Sequence, residues 1–97
     1  MFIISITYTC NIKEIELYLD EHIKYLDYQY DAGKFLASGR KNPRTGGIIL
    51  ALASSRDEIE KVLADDPFKI NNLATYEITE FIPSKTSPEL SLLLNTA

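Results

Sequence analysis

The chain of 97 residues has one cysteine, one histidine, few basic residues and no long apolar run. Cys10 alone cannot close an internal disulfide, and no Cys/His set stands at zinc-ligand spacing. Neither a disulfide scaffold nor a metal site is expected, and a reducing cytoplasm fits best. The apolar start, Met1 to Ile6, is short and lacks both a basic flank and a small-residue cleavage site. It reads as a strand rather than a signal peptide, and nothing else approaches a membrane span. Ten Lys and Arg stand against fourteen Asp and Glu, for a net charge of −4. Phosphate binding needs clustered cations that release counterions, so no nucleic-acid partner is expected. The basic island Arg40-Lys41-Asn42-Pro43-Arg44 is too short to grip a duplex but could hold one small anion. No nucleotide-binding glycine motif occurs, so no cofactor is implied.

What remains is the balance of a globular protein, with 45% apolar and 25% charged residues, in a length that allows one core. Residues 2 to 9 alternate, with Phe2, Ile4, Ile6 and Tyr8 on one face, as a half-buried strand requires. Asn11 and Glu14 have capping-box spacing. Ile15, Leu19, Ile23, Leu26 and Tyr30 then recur at three and four residues, predicting one helix to about Asp31 with Gly33 as its stop. Phe35 to Arg40 and Gly47 to Ala53 read as a hairpin around the Asn42-Pro43-Arg44-Thr45 turn. Ser55 with Glu58 caps a short helix carrying Ile59, Val62 and Leu63. Asp66-Pro67 starts another helical turn, and Tyr76 to Ile82 makes the last strand. Ser87-Pro88 repeats the cap-plus-proline pattern before Leu90, Leu92, Leu93 and Leu94. This divides the chain into a domain over 1 to 83 and a tail over 84 to 97 with a short apolar helix that docks on its own domain or on a partner.

The order strand, helix, strand, strand, helix, strand is that of an α+β, ferredoxin-like βαββαβ fold with both helices on one face of an antiparallel sheet. The third strand is apolar at nearly every position, so the second sheet face also needs covering. A second copy of the chain is the economical cover, since closed homodimers are the commonest assemblies.

Two residues stand out for chemistry. His22 lies on or beside the buried face of the first helix. Alone it suits a core histidine bonded to backbone, but beside a carboxylate its tautomer is fixed and it suits acid–base work near neutral pH. Asp66 is the candidate partner, because the end of the second helix approaches the middle of the first in this fold. Asp66 also suits a simple N-cap, and a carboxylate has acceptor sites enough for both roles. Ser38 and Gly39, with Arg44 on the following loop, frame a hairpin where backbone and a cation could hold a ligand. Tyr8 is a further candidate ligand contact, although it and Tyr25, Tyr28 and Tyr30 also suit packing and rim positions. Cys10 has no evident base.

In order and spacing, the mid-helix His22, Ala37-Ser38-Gly39, Pro43-Arg44-Thr45-Gly46-Gly47, Asp65-Asp66-Pro67-Phe68 and the stretch from Tyr76-Glu77-Ile78 to Phe81-Ile82-Pro83 resemble the YciI-like family. The resemblance covers residues 1 to 83. It implies a dimeric α/β barrel, in which two ferredoxin-like subunits pack sheet to sheet, and a histidine–aspartate site that carries over onto His22 and Asp66. The chain departs from the pattern at Lys69-Ile70-Asn71-Asn72-Leu73, where relatives commonly carry glycine before the leucine. The wider superfamily includes lactone isomerases, dehydrochlorinases, monooxygenases and members without known activity, so the resemblance implies a site but no single reaction. Two readings follow. One is a small cofactor-independent enzyme, lyase- or isomerase-type, in which the His22–Asp66 pair moves a proton on a small anionic metabolite. The other is a non-catalytic metabolite-binding or accessory module, and a purely structural role is a third.

Overall fold

The computed structural model describes residues 1–95. A four-stranded antiparallel sheet in the order β2-β3-β1-β4 is formed by β1 (Phe2–Tyr8), β2 (Phe35–Arg40), β3 (Gly46–Ala51) and β4 (Ala74–Glu80). Four helices cover one face: α1 (Ile12–Leu17), α2 (Leu19–Asp31), α3 (Arg56–Ala64) and α4 (Pro67–Ile70). This is the α+β, ferredoxin-like arrangement that the element order predicts.

Alternation in β1 directs Phe2, Ile4 and Ile6 into the core, where they meet Ile49 and Ala51 of β3, Phe35 of β2 and Ile59 and Leu63 of α3. Each large side chain buried there contributes roughly 1.5–3 kcal/mol, an upper figure because denatured chains already bury some surface. The register sets Ile78, Ile4, Ile49 and Ser38 in one row across the helix side of the sheet and Tyr76, Ile6, Gly47 and Arg40 in the next. The opposite face carries Ile3, Ile48 and Leu50, all partly exposed. Gly46 is required where it stands, because a Cβ there would lie 1.7 Å from the Ile6 carbonyl oxygen, whereas Gly39 faces open space.

The single helix expected from Asn11 to Asp31 is broken at Tyr18, whose φ/ψ of −109°/5° leaves the helical range. Its N–H bonds back only three residues, to the Ile15 carbonyl, and His22 N–H then takes the Tyr18 carbonyl at 2.9 Å. The break serves two packing demands. Ile15 joins Phe68 and Leu73 in a satellite cluster, while α2 covers the main core with Tyr25. Ile23, expected on the core stripe, is 45% exposed. The hairpin strand expected at 47 to 53 and the last strand expected at 76 to 82 both begin and end earlier. Phe81 and Ile82 lie beyond β4 and are exposed. Two 3-10 turns joined at a kink at Leu90 span Pro88–Asn95 in the tail, with Leu93 buried and Leu90, Leu92 and Leu94 exposed. The last two positions of the expected tail lie outside the described residues.

The helix ends are set locally. Asn11 and Ser55 accept the N–H groups of Glu14 and Glu58 at 3.0 and 3.2 Å. The Glu58 carboxylate is tied to Lys34 and to Ser54, which hold its pKa down to about 2. After α2, Gly33 at φ +74° lets its own N–H reach the Tyr30 carbonyl and the Lys34 N–H reach that of Gln29, a Schellman closure. The same closure ends α4. Asn72 at φ +56° bonds the Lys69 carbonyl, Leu73 N–H takes that of Phe68 at 2.8 Å, and the Leu73 and Phe68 side chains share the satellite cluster. Asparagine thus fills a left-handed position that would also suit glycine, since it is among the few L residues that tolerate it. Asn72→Gly is expected to change stability by less than about 0.5 kcal/mol and Asn72→Val to cost roughly 1–3 kcal/mol. Urea denaturation checks both, and equal losses would contradict a conformational role for Asn72.

Candidate active site

Three elements converge on the carboxylate of Asp66, which is completely buried. Asp66 caps α4, and its Oδ1 accepts the Phe68 N–H at 3.0 Å. The same oxygen lies 2.8 Å from Nδ1 of His22 on α2. Oδ2 accepts the Tyr76 hydroxyl from β4 at 2.6 Å. A buried carboxylate is costly unless donors surround it, and here three do. With Asp66 ionised, Oδ1 can only accept, so Nδ1 of His22 carries the proton and the ring nitrogen left for a ligand is Nε2.

Aromatic packing holds the ring in place. His22 stacks on Phe68 with centroids 4.0 Å apart and planes 9° from parallel, and Tyr25 flanks it at 6.2 Å. Tyr25 is anchored by its hydroxyl, which donates to the Val62 carbonyl at 2.7 Å. The phenols of Tyr76 and Tyr25 are both pushed up, first by burial and then by the negative charge of Asp66, so both stay protonated donors. Lys69 sits over the Tyr76 ring at 5.3 Å.

His22 opens on a cleft of about 270 Å³ between α2 and the sheet. Its walls are apolar on one side, with Ile6, Leu19, Ile23, Leu26 and Ile49, and polar at the β2 edge and the following loop. All the candidates from sequence except Asp66 line this one cleft, namely His22, Ser38, Gly39, Arg44 and Tyr8, and the buried Asp66 lies behind His22. Two of them have prior engagements. Ser38 Oγ is 2.7 Å from the Tyr30 hydroxyl, and Arg44 is paired with Glu16 at 3.5 Å, which ties the β2–β3 loop to α1. The carboxylate clamp expected of Arg44 is therefore already partly met within the chain. Arg40, named from sequence only as part of a basic island able to hold a small anion, lines the same cleft. Cys10 donates weakly to the Leu73 carbonyl, and burial with the nearby Glu14 raises its thiol, leaving it a poor nucleophile.

Sequence reasoning also missed Tyr76 and Phe68 as parts of the site. The available signal was alternation in β4, which turns Tyr76 to the helix side with Ile78, where a hydroxyl needs a partner.

A family model described as YCII-related domain matches residues 1–82. No curated protein matches the chain. Among solved structures, 5-chloro-2-hydroxyhydroquinone dehydrochlorinase from Burkholderia phenoliruptrix, in complex with 2,5-dihydroxybenzoquinone, is similar. Its TM-score is 0.70 at 19% identity, over 82% of this chain and 91% of that one, which shows a shared fold.

An ordinary N-cap aspartate contributes about 1 kcal/mol. Asp66→Ala would leave His22, Tyr76 and the Phe68 N–H without their acceptor, and the expected loss is roughly 3–5 kcal/mol by urea denaturation. A loss near 1 kcal/mol would reduce Asp66 to its capping role.

Proposed function

The chain belongs to the YCII-related domain family, and from that footing we propose that it is a small enzyme in which His22 moves protons on a compact anionic metabolite. The observation that carries this reading is the 2.8 Å contact between His22 Nδ1 and the buried Asp66 carboxylate, on a ring that borders a cleft. An imidazole so oriented presents Nε2 as a base. It takes a proton from a carbon or oxygen acid of the ligand, and Asp66 stabilises the imidazolium that forms. Return of that proton to another ligand atom completes an isomerisation, whereas departure of an anion with the released electron pair completes an elimination.

The lining supports a ligand with an apolar, ring-shaped body and a negative group. Ile6, Leu19, Ile23, Leu26 and Ile49 suit the body, and Arg40 and Arg44 suit the charge. The hydroxylated quinone held by the similar dehydrochlorinase is a molecule of that kind. We further propose that a second copy covers the open sheet face. Ile3, Ile48 and Leu50 are only partly buried there, and a shallow depression bordered by Ala37, Gly39, Ile48 and Leu50 opens on it. Ser38, Gly39 and Arg40 border both this depression and the cleft, so a partner seated there would lie next to the site.

Incubation in D₂O with small cyclic keto acids, lactones and hydroxylated quinones, followed by proton NMR, is expected to reveal a ligand whose C–H exchanges. His22→Ala should slow that exchange roughly 10²- to 10⁴-fold. Ligands that bind both proteins equally, with no exchange in either, would favour the metabolite-binding module instead. For the assembly, light scattering is expected to give twice the chain mass for the native protein and the chain mass for Leu50→Glu; a native monomer at high concentration would overturn the dimer.

A further inference from the structure

We infer that Tyr76 is a positioning residue for the candidate site, acting on His22 through Asp66. The inference deepens the acid–base reading and rests on it for its kinetic consequences, while its structural part stands independently.

The acceptor sites of Asp66 are shared unevenly among its donors. Oδ1 serves both the Phe68 N–H and His22, whereas Oδ2 has the Tyr76 hydroxyl as its protein donor, at 2.6 Å. The carboxylate is wholly buried, so water cannot stand in for a lost donor without a rearrangement. Tyr76 comes from the sheet rather than from the helices that carry the other two donors. It pairs with Ile6 in the register of β1 and β4, which fixes its position along the sheet. The three donors thus reach Asp66 from α2, α4 and β4, and the carboxylate plane is held at both ends.

Removing the hydroxyl leaves Oδ2 buried without its donor. The carboxyl can then turn, or bind a proton and present an O–H to His22. In the second arrangement Nδ1 must accept, so the ring proton moves to Nε2 and the base that faces the cleft is lost. The direction of the His22–Asp66 hydrogen bond, and with it the nitrogen available for chemistry, depends on a phenol that does not line the cleft.

Two variants separate this from general packing. Tyr76→Phe deletes the hydroxyl that donates to Asp66, and Tyr25→Phe deletes a comparable buried hydroxyl beside the same charge that donates to the Val62 carbonyl instead. Ring ¹⁵N shifts, recorded at a pH where His22 is neutral, should show the Nδ1–H tautomer in native protein and in Tyr25→Phe. Tyr76→Phe should show a substantial Nε2–H population. With a turned-over ligand, Tyr76→Phe should lower kcat roughly 10- to 100-fold with KM little changed. Identical tautomers and kcat in the two variants would overturn the inference. A tautomer change without activity in any protein would leave it standing and fault the enzyme reading alone. Should Tyr76→Phe fail to fold, a fluorotyrosine placed at position 76, which keeps the hydroxyl but makes it a stronger donor, still decides. It should shift the His22 Nδ1 resonance, and no shift would overturn the coupling.

Discussion

A single negative charge, removed from water on the Asp66 side chain, is the constraint around which the helical layer is arranged. An ionised carboxylate without donors is among the least tolerable groups in a protein interior. Each donor to Asp66 comes from a different element, α2, α4 and β4, so satisfying the charge and assembling the fold are the same event. The four-residue helix α4 is too short to be stable by itself. It persists because Asp66 caps its start, Asn72 closes its end, and Phe68 between them is buried against His22, Ile15 and Leu73. Specificity of this sort comes with a stability cost, since a well-packed apolar replacement of a buried charged group is often at least as stable.

The cleft beside this charge is divided by chemistry. Its helix wall is apolar, and its cations stand on the opposite side, on β2 and the loop that follows. In a chain of net charge −4, Arg40 and Arg44 place positive potential at the mouth of the cleft, where it can draw a small anion inward. The pairing of Arg44 with Glu16 spends part of that potential on holding the loop against α1. Arg40 and Arg44 are therefore unequal partners for a ligand, a distinction that the basic run Arg40-Lys41-Asn42-Pro43-Arg44 does not disclose.

What could be read from sequence follows the range of the interaction. Caps act within four residues, so Asn11, Ser55 and Asp66 were legible from spacing, and alternation in β1 was legible from period alone. The ferredoxin-like order was legible for the same reason, since it is a sequence of such local signals. His22 and Asp66 could be brought together because the topology sets the two helical segments side by side. Tyr76 was not legible as their third member, because its place depends on the register between β4 and β1, which no local pattern states. The break at Tyr18 was equally hidden. The apolar repeat runs through it without a missed beat, and only the separate burial of Ile15 with Phe68 shows that the axis must change there. Arg44 illustrates a different limit, for its place beside the hairpin suggested a ligand contact, and only three-dimensional proximity supplies Glu16.

Gly39 and Gly46, near the polar edge of the cleft, are not equivalent. At position 46 the backbones of β3 and β1 run so close that no side chain of any size can be accommodated, and the entry to the hairpin is fixed by that contact. At position 39, on the border between the cleft and the open sheet face, a side chain would meet nothing. Descendants of this sequence thus have one free coordinate along which to reshape the pocket rim without disturbing the sheet, and it lies where the ligand and any neighbouring subunit would both feel the change.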